Sequence, residues 1–238
     1  LYIDIGGVSY PAGFMHDFDS GPGKDTMQAH TIPAGQCAIF SVQWDSPFGS
    51  AAAGTGTRND LDVWLIDASG SWIVAYDAHE NIPTGEPVEI MQFCNDGFYV
   101  PTDPPVFNLV IALWEGTAPG LMKTVLFGSA SIDEYATNSS TTYGHANADG
   151  AEAVGAAYFM ATPEFGTTPA QLEAFSSAGG TPILFATDGT PLPAPVVRMK
   201  PGIVAPDGVN TTFFYPTSDR NGDGLPDFSG TSAAAPHA

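Results

Sequence analysis

Six short runs crowd the first half of the chain: CAIFSVQW (37–44), LDVWLIDA (61–68), WIVAYDA (72–78), VEIMQFC (88–94), VFNLVIALW (106–114) and MKTVLFG (122–128). Each is either apolar throughout or alternates polar with apolar residues, and turn residues separate them. This is the signature of β-strands rather than helices. In the fifth run Phe107, Leu109, Ile111 and Leu113 fall on one face, as in a strand with its inner side on a core. ASGS (68–71) reads as a hairpin turn and SPFGSAAAGTGTRND (46–60) as a flexible loop. No internal repeat and no segment of helical period interrupts this part. Six or more strands at this spacing predict a β-sandwich.

The chain has 238 residues and is 43% hydrophobic, enough for one large domain or two small ones with a real core. Lys and Arg number 6 against 26 Asp and Glu, a net charge of −20. Such a surface repels nucleic acid and anionic membranes and favours cations, calcium first. With only 13% charged residues, the acid is spread through loops and does not form a disordered tail. No apolar run approaches a membrane span. Regular alternation puts Cys37 on the Ser41/Gln43 side of its strand and Cys94 on the Val88/Ile90 side. These faces do not obviously agree, so two separate thiols are the simpler expectation; a disulfide, allowed in a secreted setting, is the alternative. No CxxC or Cys/His cluster suggests zinc. Trp44, Trp64, Trp72 and Trp114 would stack on sugars if they shared an exposed face, but core and sheet-face packing is the expectation.

The texture changes near residues 131–150, where SIDEYATNSSTTYGHANADG is small and polar and reads as a linker. AEAVGAAYF (151–159) follows as a buried strand of small residues. The last nine residues, GTSAAAPHA (230–238), read as the start of a helix with Ser232 on its first turn. N–H groups at such an end lack internal partners, and the helix dipole is positive there. A serine hydroxyl so placed can attack a carbonyl while nearby N–H groups hold the developing oxyanion. Pro236 lies past the first helical position, where it kinks the helix or leans on neighbours.

GTSAAAPH resembles the serine motif of subtilisin-like serine proteases, G-T-S-x-A-x-P-H, through Gly230, Thr231, Ser232, Ala234, Pro236 and His237. Further phrases follow in family order: a strand ending near V-G-A (151–159), LEAFSSAGG (172–180), read as a short strand followed by S-S-x-G, and MKPGIVAPDGVN (199–210). The last departs from the family at Gly202 and carries an extra Asp207. HDFDSG (16–21), SVQWDSP (41–47), DLDVWLIDASG (60–70) and NIPTGEPVEI (81–90) resemble the jelly-roll-like modules attached to or inserted in bacterial subtilases. The resemblance implies a mixed fold: a β-sandwich module over 1–135, then over 136–238 the C-terminal part of an incomplete α/β subtilisin-like domain. It also implies a secreted bacterial serine endopeptidase acting on polypeptides. Ser232 is then the nucleophile, and Gly144, His145 and Ala146 lie near the specificity pocket, where an ordinary turn is the other reading. Asp19-Ser20-Gly21 has the form of a catalytic aspartate motif but lacks the buried strand before it, so a solvated turn is expected. His16, His30 and His79 lack the H-G-T context and are expected at the surface or in turns. His237 belongs to the serine motif and is not the base. The triad His and Asp are thus expected in a longer parent chain, and this internal fragment alone is expected to be inactive, its second half poorly stable alone or leaning on the sandwich. The rival reading is a non-catalytic extracellular binding module beside a degenerate protease remnant.

DRNGDGLPD (219–227) sets Asp219, Asn221 and Asp223 at alternate positions, with Gly224 at the sharp turn, the Leu225 carbonyl available and Asp227 at the ninth place. Oxygen ligands at this spacing suit Ca²⁺. The twelfth place is Gly230, so the bidentate Glu of an EF-hand is missing. An acidic turn without metal is the alternative.

Overall fold

The computed structural model describes residues 14–54, 56–98, 105–214 and 218–238, and the backbone alone at 2–5 and 8–11. The chain is β-rich and divides into two compact units, Leu1–Thr137 with Leu184–Ala194, and Asn138–Ile183 with Pro195–Ala238.

The first unit holds β1 (Tyr2–Ile5), β2 (Val8–Pro11), β3 (Phe14–Met15), β4 (Gln28–Thr31), β5 (Cys37–Trp44), β6 (Asp60–Asp67), β7 (Ile73–Asp77), a one-turn helix α1 (Asn81–Thr84), β8 (Val88–Cys94), β9 (Val106–Glu115), β10 (Met122–Gly128) and β11 (Ser131–Ile132). β1 and β2 form their own antiparallel pair. One antiparallel sheet runs β10-β5-β8; the other runs β11-β4-β9-β6-β7, with β3 also on β9. Period-two alternation turns Ala38, Phe40, Val42, Trp44, Met91 and Phe93 of the first sheet toward Leu61, Val63, Leu65, Phe107, Leu109 and Ile111 of the second. The two layers therefore share one apolar core. β6 is buried on both faces, because Trp64 and Ile66 pack with Val110 and Ala112 on the outer side.

The turn 68–71 is a hairpin connection held by Asp67, whose Oδ1 accepts the Ser71 and Trp72 N–H groups at 2.8 and 2.9 Å. The 46–60 segment is tied down rather than free. Gly85 O accepts the Gly49 and Thr57 N–H groups at 2.8 and 3.1 Å. A Cβ at Gly56 would fall 2.4 Å from Gly85 Cα, so this backbone crossing needs glycine.

Cys37 and Cys94 stand opposite each other in the β5–β8 ladder and are joined by a disulfide, which corrects the expectation of two thiols. The inner face of β8 is Glu89, Met91 and Phe93, not Val88 and Ile90. Both cysteines consequently point outward on the same side of the sheet. His30 is a second correction: it is fully buried between the sheets, with its ring 5.0 Å from that of Phe40. Trp44 and Trp64 are buried, whereas Trp72 and Trp114 are exposed.

In the second unit β12 (Val154–Tyr158) pairs in parallel with β15 (Ile203–Asp207). The unit also holds β16 (Val209–Asn210), β17 (Asp227–Phe228) and the short helix α2 (Thr231–Ala234), while β13 (Pro182–Phe185) and β14 (Pro191–Val197) lie partly in the segment Leu184–Ala194 of the first unit. β13 pairs with β14, and β16 with β17. The strand expected in LEAFSSAGG does not form. Leu172 makes one bridge to Ala157, and Ser176 Oγ takes the ladder's place, accepting the Ala156 N–H at 2.8 Å and donating to the Ala156 carbonyl at 3.0 Å. The core of this unit is small: Ala156, Ala205 and Ala234, with Val154 against them. Ile203, Val204 and Met199 are exposed.

Candidate functional site

The serine segment takes its shape from small residues. Gly230 stands at φ 120°, a conformation that side chains resist, and the chain then enters α2. Ala233 and Ala234 are fully buried, Ala234 against Ala156 and Ala205 of the parallel pair. Larger side chains could not reach so close to the two strands. Ser232, on the first turn, is exposed, and among the described residues its hydroxyl has no partner. His237 donates Nδ1–H to the Ala233 carbonyl at 2.7 Å and is held one turn beyond the serine.

Asp207, the extra acid, anchors this segment. It ends β15, is fully buried, and its Oδ2 accepts the Gly230 N–H at 2.7 Å, while Oδ1 has no partner. Its position directly before Gly208 was its only sequence signal.

Gly144, His145 and Ala146 are the exposed residues of a 3₁₀ turn, Gly144–Asn147, whose Asn147 is buried. That turn is fixed through Asn147, whose carbonyl accepts Arg198 Nη1 at 2.6 Å. Among the described residues no hydrogen bond links it to the serine segment.

In the acidic loop, Asp219 accepts N–H groups from Gly222, Asp223 and Gly224 at 2.7, 3.2 and 2.9 Å. Asn221 Oδ1 accepts the Asp223 N–H, and Asp223 Oδ1 the Leu225 N–H. Leu225 itself is exposed. Asp227, buried on β17, accepts the Arg220 N–H of this loop at 2.7 Å through Oδ2, and its Oδ1 has no partner. Arg220 stacks 4.0 Å over the Tyr158 ring and pairs with Glu173, which ties the loop to the end of β12. A pocket of about 490 Å³ lies beside the loop, lined by Phe159, Met160, Val209, Asn210, Asn221 and Asp223. Asp19-Ser20-Gly21 is the expected turn, closed by a Gly21 N–H bond to Asp19 Oδ1 at 2.7 Å.

A second constellation sits in the first unit. Asp77 ends β7, Glu89 is the second residue of β8, and the connection between the strands carries His79 and Asn81. Asp77 pairs with Val63 and so faces inward; Glu89 faces inward from the other sheet. His79 Nδ1 lies 3.1 Å from Asp77 Oδ1 and 3.2 Å from Glu89 Oε2. Burial drives the Glu89 carboxyl up to about 9; the Asn81 bond opposes this, and the nearby charges of Asp77 and Asp62 add to it. Burial and the charges of Asp60 and Asp77 push Asp62 up to about 6. Burial also acts to raise Asp77, but bonds from Ile90 N–H, His79 and Glu89 outweigh it and hold this carboxylate below its ordinary range. In the sequence Asp77 closes the strand run WIVAYDA and His79 reads only as a surface or turn histidine, so nothing there joins them to Glu89.

Neither a protein-family model, nor a curated protein, nor a solved structure matches the chain.

Proposed function

We propose that the chain is the nucleophile-bearing part of a secreted serine endopeptidase whose His and Asp lie elsewhere in a longer parent. The observation that carries this reading is Ser232. It sits solvent-facing within an intact G-T-S-x-A-x-P-H motif, on a turn packed through Ala233 and Ala234 and braced by Asp207. The parallel pair β12–β15 beneath α2 suits the C-terminal part of a subtilisin-like α/β domain, and the two-layer first unit suits an inserted β-sandwich module. Ser232 would attack the peptide carbonyl, with its proton passing to a histidine base held by an aspartate. Its own N–H would be one donor to the oxyanion. Gly144, His145 and Ala146 would border the substrate. The full-length parent should react covalently with a fluorophosphonate probe, and Ser232→Ala should abolish labelling. A folded parent that binds glycan or matrix but leaves Ser232 unlabelled would favour the non-catalytic module instead.

Calcium belongs to the same reading. Asp219, Asn221, Asp223, the Leu225 carbonyl and Asp227 supply only oxygen donors. The bare, buried Oδ1 of Asp227, on a carboxylate turned toward this loop, fits a cation there. The ion would brace the approach to Ser232. Millimolar Ca²⁺ should raise the melting temperature of the chain and a chelator should reverse the gain, with the response lost in Asp223→Asn. A melting temperature indifferent to both would remove calcium from the site.

A further inference from the structure

We propose that Asp77, His79 and Glu89 form a binding site for one divalent transition-metal ion, typified by Zn²⁺, at the edge where the two sheets of the first unit meet. The three ligand atoms, Asp77 Oδ1, His79 Nδ1 and Glu89 Oε2, all lie within 4.8 Å of one another. Bonds of about 2.0–2.1 Å in a tetrahedral zinc site place neighbouring ligands about 3.3 Å apart. The 3.1 and 3.2 Å separations from His79 Nδ1 match that spacing.

Hydrogen bonding within the protein does not complete the cluster. An Nδ1 atom carries at most one proton, so it can serve one of the two carboxylates facing it. Glu89 is fully buried, and its Oε2, 3.2 Å from His79 Nδ1 and facing Asp77, makes no well-directed hydrogen bond. A buried polar atom left in that state is costly, and a cation between the three groups would relieve it.

The remaining atoms of the two carboxylates are already anchored, which leaves one oxygen of each for the metal. Asp77 Oδ2 accepts the Ile90 N–H at 2.8 Å, and Glu89 Oε1 accepts Asn81 Nδ2 at 2.6 Å. Asn81 is itself fixed, because its Oδ1 accepts the Leu61 N–H at 3.1 Å and its own N–H donates to Asp60 Oδ1 at 3.2 Å. Such outer contacts orient ligands in metal sites generally. Among the described residues no Lys or Arg pairs with these carboxylates. The imidazole selects the class of ion: one nitrogen among three protein ligands suits zinc and its neighbours, whereas Ca²⁺ takes six to eight oxygens. His79 is half exposed, which gives an ion a route in and leaves room for water as a fourth ligand.

Zn²⁺ titrated calorimetrically into the whole folded chain at neutral pH should bind with one tight equivalent. His79→Asn and Glu89→Gln should each weaken that equivalent at least tenfold, and a hundredfold excess of Ca²⁺ should not displace it. Asp219→Asn, in the acidic loop, should leave it unchanged. Circular dichroism checks that each variant is folded; if Glu89→Gln is not, His79→Asn, at a half-exposed position, decides. Absence of saturable Zn²⁺ binding to the folded wild type, binding undiminished in His79→Asn, or loss of the equivalent in Asp219→Asn alone would overturn the proposal.

Discussion

Breaking the Cys37–Cys94 bond is expected to destabilise the first unit by about 4 kcal/mol, the value that loop-closure entropy assigns to a closed loop of this order. The cross-link spans 57 positions and encloses β6, β7 and the Asp77–Glu89 cluster. Both cysteines are on the outward face of their sheet, so replacing them with serine opens no hole in the core. The native contacts stay almost as they are, and the effect comes from the freedom regained by the unfolded chain. For a unit of about 150 residues this loss corresponds to a melting temperature lower by roughly 10 °C. The double variant Cys37→Ser/Cys94→Ser and the reduced wild type should show the same shift, read by the cooperative thermal transition. Equal melting temperatures for oxidised and reduced protein would show that the ladder alone holds these strands in register.

The pairing of these cysteines also shows where sequence reasoning fails. Strands β5, β8 and β10 coincide with the runs CAIFSVQW, VEIMQFC and MKTVLFG, because period-two apolar patterning is strong there. Phe107, Leu109 and Ile111 face the core as expected. In β8 the same logic misled, since Val88 and Ile90 looked like the inner face and Glu89 like the outer. Hydropathy assumes that a carboxylate seeks water, and Glu89 instead sits inside, facing His79 and Asp77. That one inversion hid the disulfide and the Asp77–His79–Glu89 cluster together. His30 was missed for a related reason: QAHT contains no run of apolar residues, yet Gln28 and His30 both point inward.

In the second unit the motif was legible and its support was not. The small residues of GTSAAAPH announce a tightly packed helix start, and Ala233 and Ala234 are buried accordingly. Asp207 holds Gly230 across 23 positions of sequence, a contact that no local pattern encodes. The acidic loop was legible as a loop because Asp and Asn side chains cap their own backbone. Its tie to Tyr158 and Glu173 through Arg220 depends on tertiary placement alone.

Acidification should cost the first unit about 2–3 kcal/mol at pH 4.5 through His30 alone. Burial lowers this imidazole to about 4, against an ordinary 6.5, although the charge of Asp133 pulls the other way. Its Nε2 lies 3.1 Å from Gln28 Oε1, and its ring packs edge-on against Phe40; the bond to the Ser131 backbone also favours the proton, but burial outweighs both it and the Asp133 charge. Above pH 6.5 the side chain is neutral in both folded and unfolded chains, and its contribution is fully present. As pH falls from 6.5 to 4 the unfolded chain takes up the proton and the folded one does not, so stability drops. Below pH 4 both are protonated and the loss levels off. The buried acids Asp62 and Glu89 act in the opposite sense: their raised values disfavour folding at neutral pH, and that penalty eases on acidification. The wild-type profile therefore sums opposing slopes, and the difference from His30→Asn isolates the histidine. Urea unfolding at pH 7.5 and pH 4.5 should show the wild type losing about 2–3 kcal/mol relative to the variant. Parallel pH profiles for the two proteins would mean that the folded chain lets His30 take up a proton at its ordinary pH, with water or Asp133 reaching into the space between the sheets.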